Sequence, residues 1–189
     1  MLNLFERARQ YRKNIKKILD EIIYRWSPRS MDAKRLPDTV LDPLFEAAGY
    51  APSAFNNQPW RFYYAQKGSK SFTDLLNLLS SFNQQWCKSA SFLIILVSKK
   101  SFDYHGKFDR THSFDSGAAW EAFAIEGVRR NLVVHGMSGF DYDKAKEYLK
   151  LDDDFQAECM IAVGQPTKEI NNEEVSLRKP LKEIAIKLK

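Results

Sequence analysis

Cysteine is scarce in this chain: Cys87 and Cys159 are the only two among 189 residues. They stand at no metal-ligand spacing and cannot build a disulfide framework, so a reducing cytoplasm is the expected setting. Histidine is almost as scarce. His105, His112 and His135 fall at no ligand spacing, and Asp152, Asp153 and Asp154 lack further ligands at calcium-loop spacing, so no metal site is expected. No apolar run approaches the roughly 18–20 residues of a membrane span. The longest, Phe92 to Val97, reads as a buried strand. An apolar leader segment is missing from the N-terminus, so secretion is not indicated. Internal repeats and low-complexity tracts are absent, and no arrangement of Ser, His and acid suggests a catalytic triad.

What remains is enough for one packed domain. Hydrophobic residues make up 44% and aromatics 13%, and the net charge is +5. Much of that charge lies near the start, where Arg7, Arg9, Arg12, Lys13, Lys16, Lys17, Arg25, Arg29, Lys34 and Arg35 face Glu6, Asp20, Glu21 and Asp32. Such a face can bind nucleic acid or another anion. A solvated helix face explains it equally simply and is the preferred reading, so nucleic acid is not expected as a partner.

Apolar periodicity predicts a helix over 3–24, with Leu4, Ala8, Tyr11, Ile15, Ile18, Leu19, Ile22 and Ile23 on one side. A second helix follows Asp38, its expected cap. Strands are expected over 61–65, 92–97 and 159–163, with helices over 71–82, 115–134 and 141–149. Asp115 should cap the central helix, and Ser101 to His112 should be a loop. His135 reads as a helix end or a pocket residue, and Trp60 and Trp86 as anchors in a core or interface. Pro180 to Lys187 should form a last helix or an extended arm. Helices and strands mix without βαβ units, so the class is α+β.

Two segments stand out chemically. In Arg25-Trp26-Ser27-Pro28-Arg29, positions 25, 27 and 29 of an extended chain project to one side, presenting two guanidiniums and a hydroxyl. That suits a phosphate or another polyanion, although arginines paired with acids or water would look the same. The second is Ala51-Pro52-Ser53-Ala54-Phe55-Asn56-Asn57-Gln58-Pro59-Trp60. It is a polar run held between prolines and lies between an apolar helix and a strand, a place where binding residues tend to sit.

Together these segments resemble the FMN-dependent nitroreductase family. Further similarities follow in order: Glu46-Ala47-Ala48, Asn83-Gln84-Gln85-Trp86, Asp115-x-Gly117-Ala118-Ala119, His135 to Asp141, Ala162 to Pro166, and Arg178-Lys179-Pro180-Leu181. The resemblance covers roughly residues 20–185. With residues 1–24 read from charge and periodicity as a basic amphipathic helix, longer than is usual in the family, it implies an FMN-binding domain over 25–189, with a central, mostly antiparallel sheet flanked by helices and an interlocked homodimer. It further implies that Arg25, Trp26, Ser27, Arg29, Asn83, Met137, Ser138, Gly139 and Arg178 hold FMN from one subunit, and that Pro52, Ser53, Ala54 and Asn56 reach it from the other. Phe55 would line the substrate pocket. The implied activity is transfer of hydride from NAD(P)H through flavin N5 to nitroaromatic, quinone or similar electron-poor acceptors, in ping-pong order. The flavin carries the chemistry and no side chain is catalytic. Other members of this fold carry out enoyl-type reduction, dehalogenation or flavin breakdown. A non-catalytic flavin- or nucleic-acid-binding protein is the remaining alternative.

Overall fold

The computed structural model describes residues 4–13 and 16–188. Its centre is a four-stranded, wholly antiparallel sheet: β1 (Trp60–Gln66), β2 (Phe92–Lys99), β3 (Val133–Met137) and β4 (Phe155–Gly164), in the order β1-β2-β4-β3. The β2 strand is apolar from Phe92 to Val97, as suits a strand buried on both faces. One face packs on α3 (Asp42–Gly49) and α6 (His112–Arg129) through Leu44, Phe123, Ile94 and Ile161. The other packs on α4 (Lys70–Leu78), α5 (Ser81–Cys87) and α7 (Tyr142–Leu149) through Phe72, Leu75, Cys87 and Ala145. No helix among the described residues is long and apolar enough to cross a membrane.

The helix expected over 3–24 is not continuous. α1 (Leu4–Arg9) and α2 (Asp20–Tyr24) are separate pieces. Ile15 and residue 3, both assigned to that helix, lie outside the described residues. Leu4, Ala8 and Tyr24 pack in a third cluster with Trp26, Ile170 and Val175, while Tyr11, Ile18, Leu19 and Ile22 stay exposed. Just after α1, Arg12 points inward and donates to backbone carbonyls.

Other boundaries also moved. The helix expected over 71–82 breaks at Leu79, and Ser80 starts α5 by accepting the Asn83 amide. Val133 and Val134 leave the predicted central helix and, with residues 135–137, form β3. Asp38 begins a short 3-10 turn, and α3 starts after Leu41 without a side-chain cap. The last helix, α8 (Leu181–Ile184), is short and exposed.

Candidate functional site

The chain leaves α2 at Tyr24 and runs extended, so neighbouring side chains point to opposite sides. Trp26 turns into the third core, where it is 2% exposed and its Nε1–H donates to the Leu4 carbonyl. Its indole therefore anchors the segment in that core. Arg25 and Ser27 meet instead, with Arg25 Nη1 3.3 Å from Ser27 Oγ. Arg25 also pairs with Glu121 at 3.4 Å and lies over the Trp120 ring. Its pKa is lowered mainly by burial; Glu121 opposes the shift and Arg178 adds to it. Arg29 lies over Phe82, and its amide and that of Ser30 donate to the Glu173 carboxylate.

His135 links this segment to the sheet. It is not a helix cap but the middle residue of β3. Its Nδ1–H donates to the Pro28 carbonyl at 3.0 Å, and its ring packs on Trp86. Burial lowers its pKa, so the imidazole is neutral near pH 7. Trp86 in turn donates to Asn83 Oδ1, and Asn83 Nδ2 donates to the Gly139 carbonyl. Arg25, Ser27, Arg29, Asn83 and Met137 to Gly139 are thus linked through a short chain of contacts. Arg178 is exposed and donates to Ser176 and Leu177, and its charge acts on Arg25.

Beside this group is a cavity of about 410 Å³ between α6 and the end of β3, with Gly117, Trp120, Gly136, Met137 and Ser138 on its wall. Close packing at two glycines fixes the surroundings, Gly136 on the cavity wall and Gly139 beside Asn83. A Cβ on Gly136 would lie 3.0 Å from Trp120 Nε1, and one on Gly139 would lie 2.7 Å from Asn83 Nδ2. The Trp120 Nε1–H is buried without a partner, a donor that normally finds one.

Pro52 to Asn56 sit elsewhere, at the start of α6. Asp115 does not cap that helix; its Oδ2 accepts the Ala54 amide at 2.8 Å. Ser53 Oγ accepts the Gln58 amide, and Asn57 bridges to the Ser101 carbonyl, Asp109 and the Asp103 amide. These bonds hold an uncommon backbone, with φ of 49° at Phe55, 56° at Asn56 and 48° at Gln58. Such conformations cost of order 1–3 kcal/mol each and cluster at ligand clamps. Phe55 is 80% exposed and meets Phe102 and Tyr104. The hydrogen bonds of this loop reach α6 and the 101–109 segment, not the Arg25 and Asn83 group.

Several groups had no sequence signal. Arg12 is buried, and its guanidinium donates to the Ile23, Arg25 and Ser176 carbonyls. At the far end of the cavity, a register shift between β2 and β4 turns both Glu158 and Cys159 toward α6. Glu158 accepts from Ser98 and Ser113, and Ser98 Oγ lies 2.8 Å from His112 Nδ1. This is no catalytic triad, since Ser98 and Glu158 both approach the same ring nitrogen. Burial raises the pKa of Cys87 and Cys159 to about 12, so neither is a thiolate nucleophile. Among the described residues no cluster of His, Cys, Asp and Glu could hold a metal.

Known proteins resemble this chain. The model of the nitroreductase family matches residues 22–84, which include the Arg25 segment, the Pro52–Trp60 loop and Asn83. A solved structure described as an oxidoreductase containing FMN is 36% identical, covers 93% of each chain and superposes with a TM-score of 0.86. A nitroreductase family protein from Streptococcus pneumoniae is 20% identical over 87% of this chain and 96% of its own, with a TM-score of 0.73. That likeness concerns the fold alone. A curated relative from Mycolicibacterium smegmatis, an uncharacterised 15.4 kDa protein, is 30% identical over 100 residues, which are 53% of this chain and 65% of that protein. With both family segments inside the match and the fold shared over 93% of each chain with the FMN-containing oxidoreductase, the chain belongs to the nitroreductase family.

Proposed function

We propose that this protein is an FMN-dependent NAD(P)H oxidoreductase that works as a homodimer. The observation that carries the reading is the placement of a guanidinium cluster, short of carboxylates, beside a glycine-walled cavity. Arg12, Arg25 and Arg178 act on one another, while among the described residues Glu121 is the carboxylate that pairs with these three. A flavin mononucleotide fits those residues. Its phosphate would take the charge that Arg25, Arg29 and Arg178 leave uncompensated, with Ser27 beside them. The Asn83 carboxamide and the Met137 to Gly139 backbone would orient the ring, and the cavity beside them would receive it.

Bound FMN would supply two-electron transfer from NAD(P)H to a nitroaromatic, quinone or similar electron-poor acceptor, in ping-pong order. The protein's own part is to bind, orient and exclude water. Pro52, Ser53, Ala54 and Asn56 would contact the cofactor of the second subunit, since the hydrogen bonds of their own loop go to the start of α6 and not to the Arg25 and Asn83 group. Phe55, with Phe102 and Tyr104, would form an aromatic wall for a flat acceptor.

Nucleic-acid binding has less support, because Arg7, Arg9, Arg12 and Arg25 are all engaged within the chain. The test is the absorbance spectrum of the purified protein before and after NADPH. Flavin bands that bleach with NADPH and return with an acceptor are expected. Protein that stays colourless with added FMN would end the proposal.

A further inference from the structure

Arg12 comes before the family match, which starts at residue 22. It is nonetheless one of the most heavily used side chains among the described residues. Nη1 donates to the Ile23 carbonyl at 2.8 Å and to the Arg25 carbonyl at 2.6 Å. Nη2 donates to the Ser176 carbonyl at 2.7 Å and approaches Ser176 Oγ at 3.3 Å, and Nε reaches the same carbonyl at 3.2 Å. One planar fork therefore ties the N-terminal segment to the carbonyl of Arg25 and to the residue two before Arg178.

The electrostatics are unusual. Arg12 is 9% exposed, and among the described residues no carboxylate lies within ion-pair distance of it. Burial lowers its pKa to about 10, with Arg178 and then Arg25 contributing. Among the described residues, Arg178 in turn bonds to the Ser176 and Leu177 carbonyls and Ser176 Oγ and to no carboxylate. A buried cation surrounded by like charges is costly unless an anion compensates it. Neutral carbonyls relieve part of that cost but leave the net charge in place.

We propose that Arg12 is a positioning residue for a phosphate monoester: it sets the Arg25 and Arg178 segments side by side and adds a third positive charge behind them. The proposal rests on the FMN reading and extends it to a segment outside the matched region. It makes docking of residues 4–13 and binding of the phosphate mutually dependent, since each stabilises the arrangement the other needs.

Riboflavin, which lacks the phosphate, separates this role from simple packing. Fluorescence titration of the full-length protein with FMN and with riboflavin should show Arg12→Gln losing roughly tenfold to a hundredfold in FMN affinity. Riboflavin affinity should be unchanged, and Arg12→Lys should recover part of the loss. Equal losses for both ligands, or no loss for FMN, would overturn the proposal. Arg25→Ala is the companion variant. If it reduces the preference for FMN over riboflavin while Arg12→Gln does not, the phosphate assignment survives and the role of Arg12 falls. If neither variant changes that preference, the phosphate site itself is misplaced and the inference falls with it. Should the Arg12 variants fail to fold, amide exchange of the wild-type protein decides. FMN should slow exchange across residues 4–13 more than riboflavin does, and equal protection would overturn the proposal.

Discussion

Arg25 is a half-buried guanidinium with one carboxylate at 3.4 Å and two like charges acting on it. Its binding energy toward an anion should be large, because the competing pair with Glu121 is long and partly exposed. Arg25→Ala is expected to weaken FMN retention by about 1.5–3 kcal/mol, the worth of a charge-assisted fork. Equilibrium dialysis of the apoprotein measures this, and unchanged retention would refute the assignment. His135 gives a second test at the same scale. Burial holds its pKa below the ordinary 6.5, Arg29 pushes the same way, and the Pro28 carbonyl opposes them. The unfolded chain therefore binds a proton that the folded chain resists. The stabilising contribution is complete above pH 6.5 and is lost as pH falls toward the folded pKa. Urea midpoints should drop between about pH 8 and about pH 5.5. His135→Gln keeps a donor for Pro28 but does not titrate, so its midpoint should fall less. An identical fall in the variant would show that other groups set the pH dependence.

At the scale of elements, the close approach of α6 to β3 is what brings Trp120 over Gly136. Gly127 makes that approach possible. A Cβ there would press into Val134 Cγ2 closer than real Cβ contacts come, and would lie 3.3 Å from Leu44 Cδ2. Gly127→Ala is expected to destabilise the fold by about 1–3 kcal/mol, as overpacking does. Chemical denaturation checks it, and a neutral result would mean that helix and strand can separate without cost. The same elements show what the sequence could reveal. β2 was legible because six consecutive large apolar residues admit little but a buried strand. β3 was hidden because His135 and Gly136 interrupt its apolar pattern and it follows directly on a long helix. The break at Leu79 and Ser80 was hidden because Phe72, Leu75, Leu76 and Leu79 keep helical spacing across it. At the N-terminus, periodicity failed because the inward residue is Arg12, which no apolar pattern marks. The site divides in the same way. Arg25, Ser27 and Arg29 were readable because their chemistry is concentrated in five residues. Arg12, His135 and Asn57 were not, because they act on backbone groups distant in the chain: Ser176, Pro28 and Ser101.

For the whole molecule, the unusual feature is that the strained loop is braced at one end of α6 while the arginines gather toward Trp120 and Glu121. Tyr50, Phe55 and Phe114 are each at least 80% exposed around that loop and the start of α6. Large exposed apolar groups in one region mark a contact surface. On the dimer reading, each cavity is completed by the loop of the other subunit, and the two kinds of site residue come from different chains. That arrangement can be tested by mixing two defective proteins. One carries Arg25→Ala and binds FMN weakly; the other carries Phe55→Ala and binds acceptor weakly. In a twofold dimer of one copy of each, one site collects both defects and the other collects neither. Unfolding and refolding the mixture should therefore restore activity at low FMN and low acceptor that neither parent shows alone. If each site used only its own chain, every site in the mixture would keep one defect. The refolded mixture would then show no more activity than the average of the two parents, and the shared-site arrangement would be wrong.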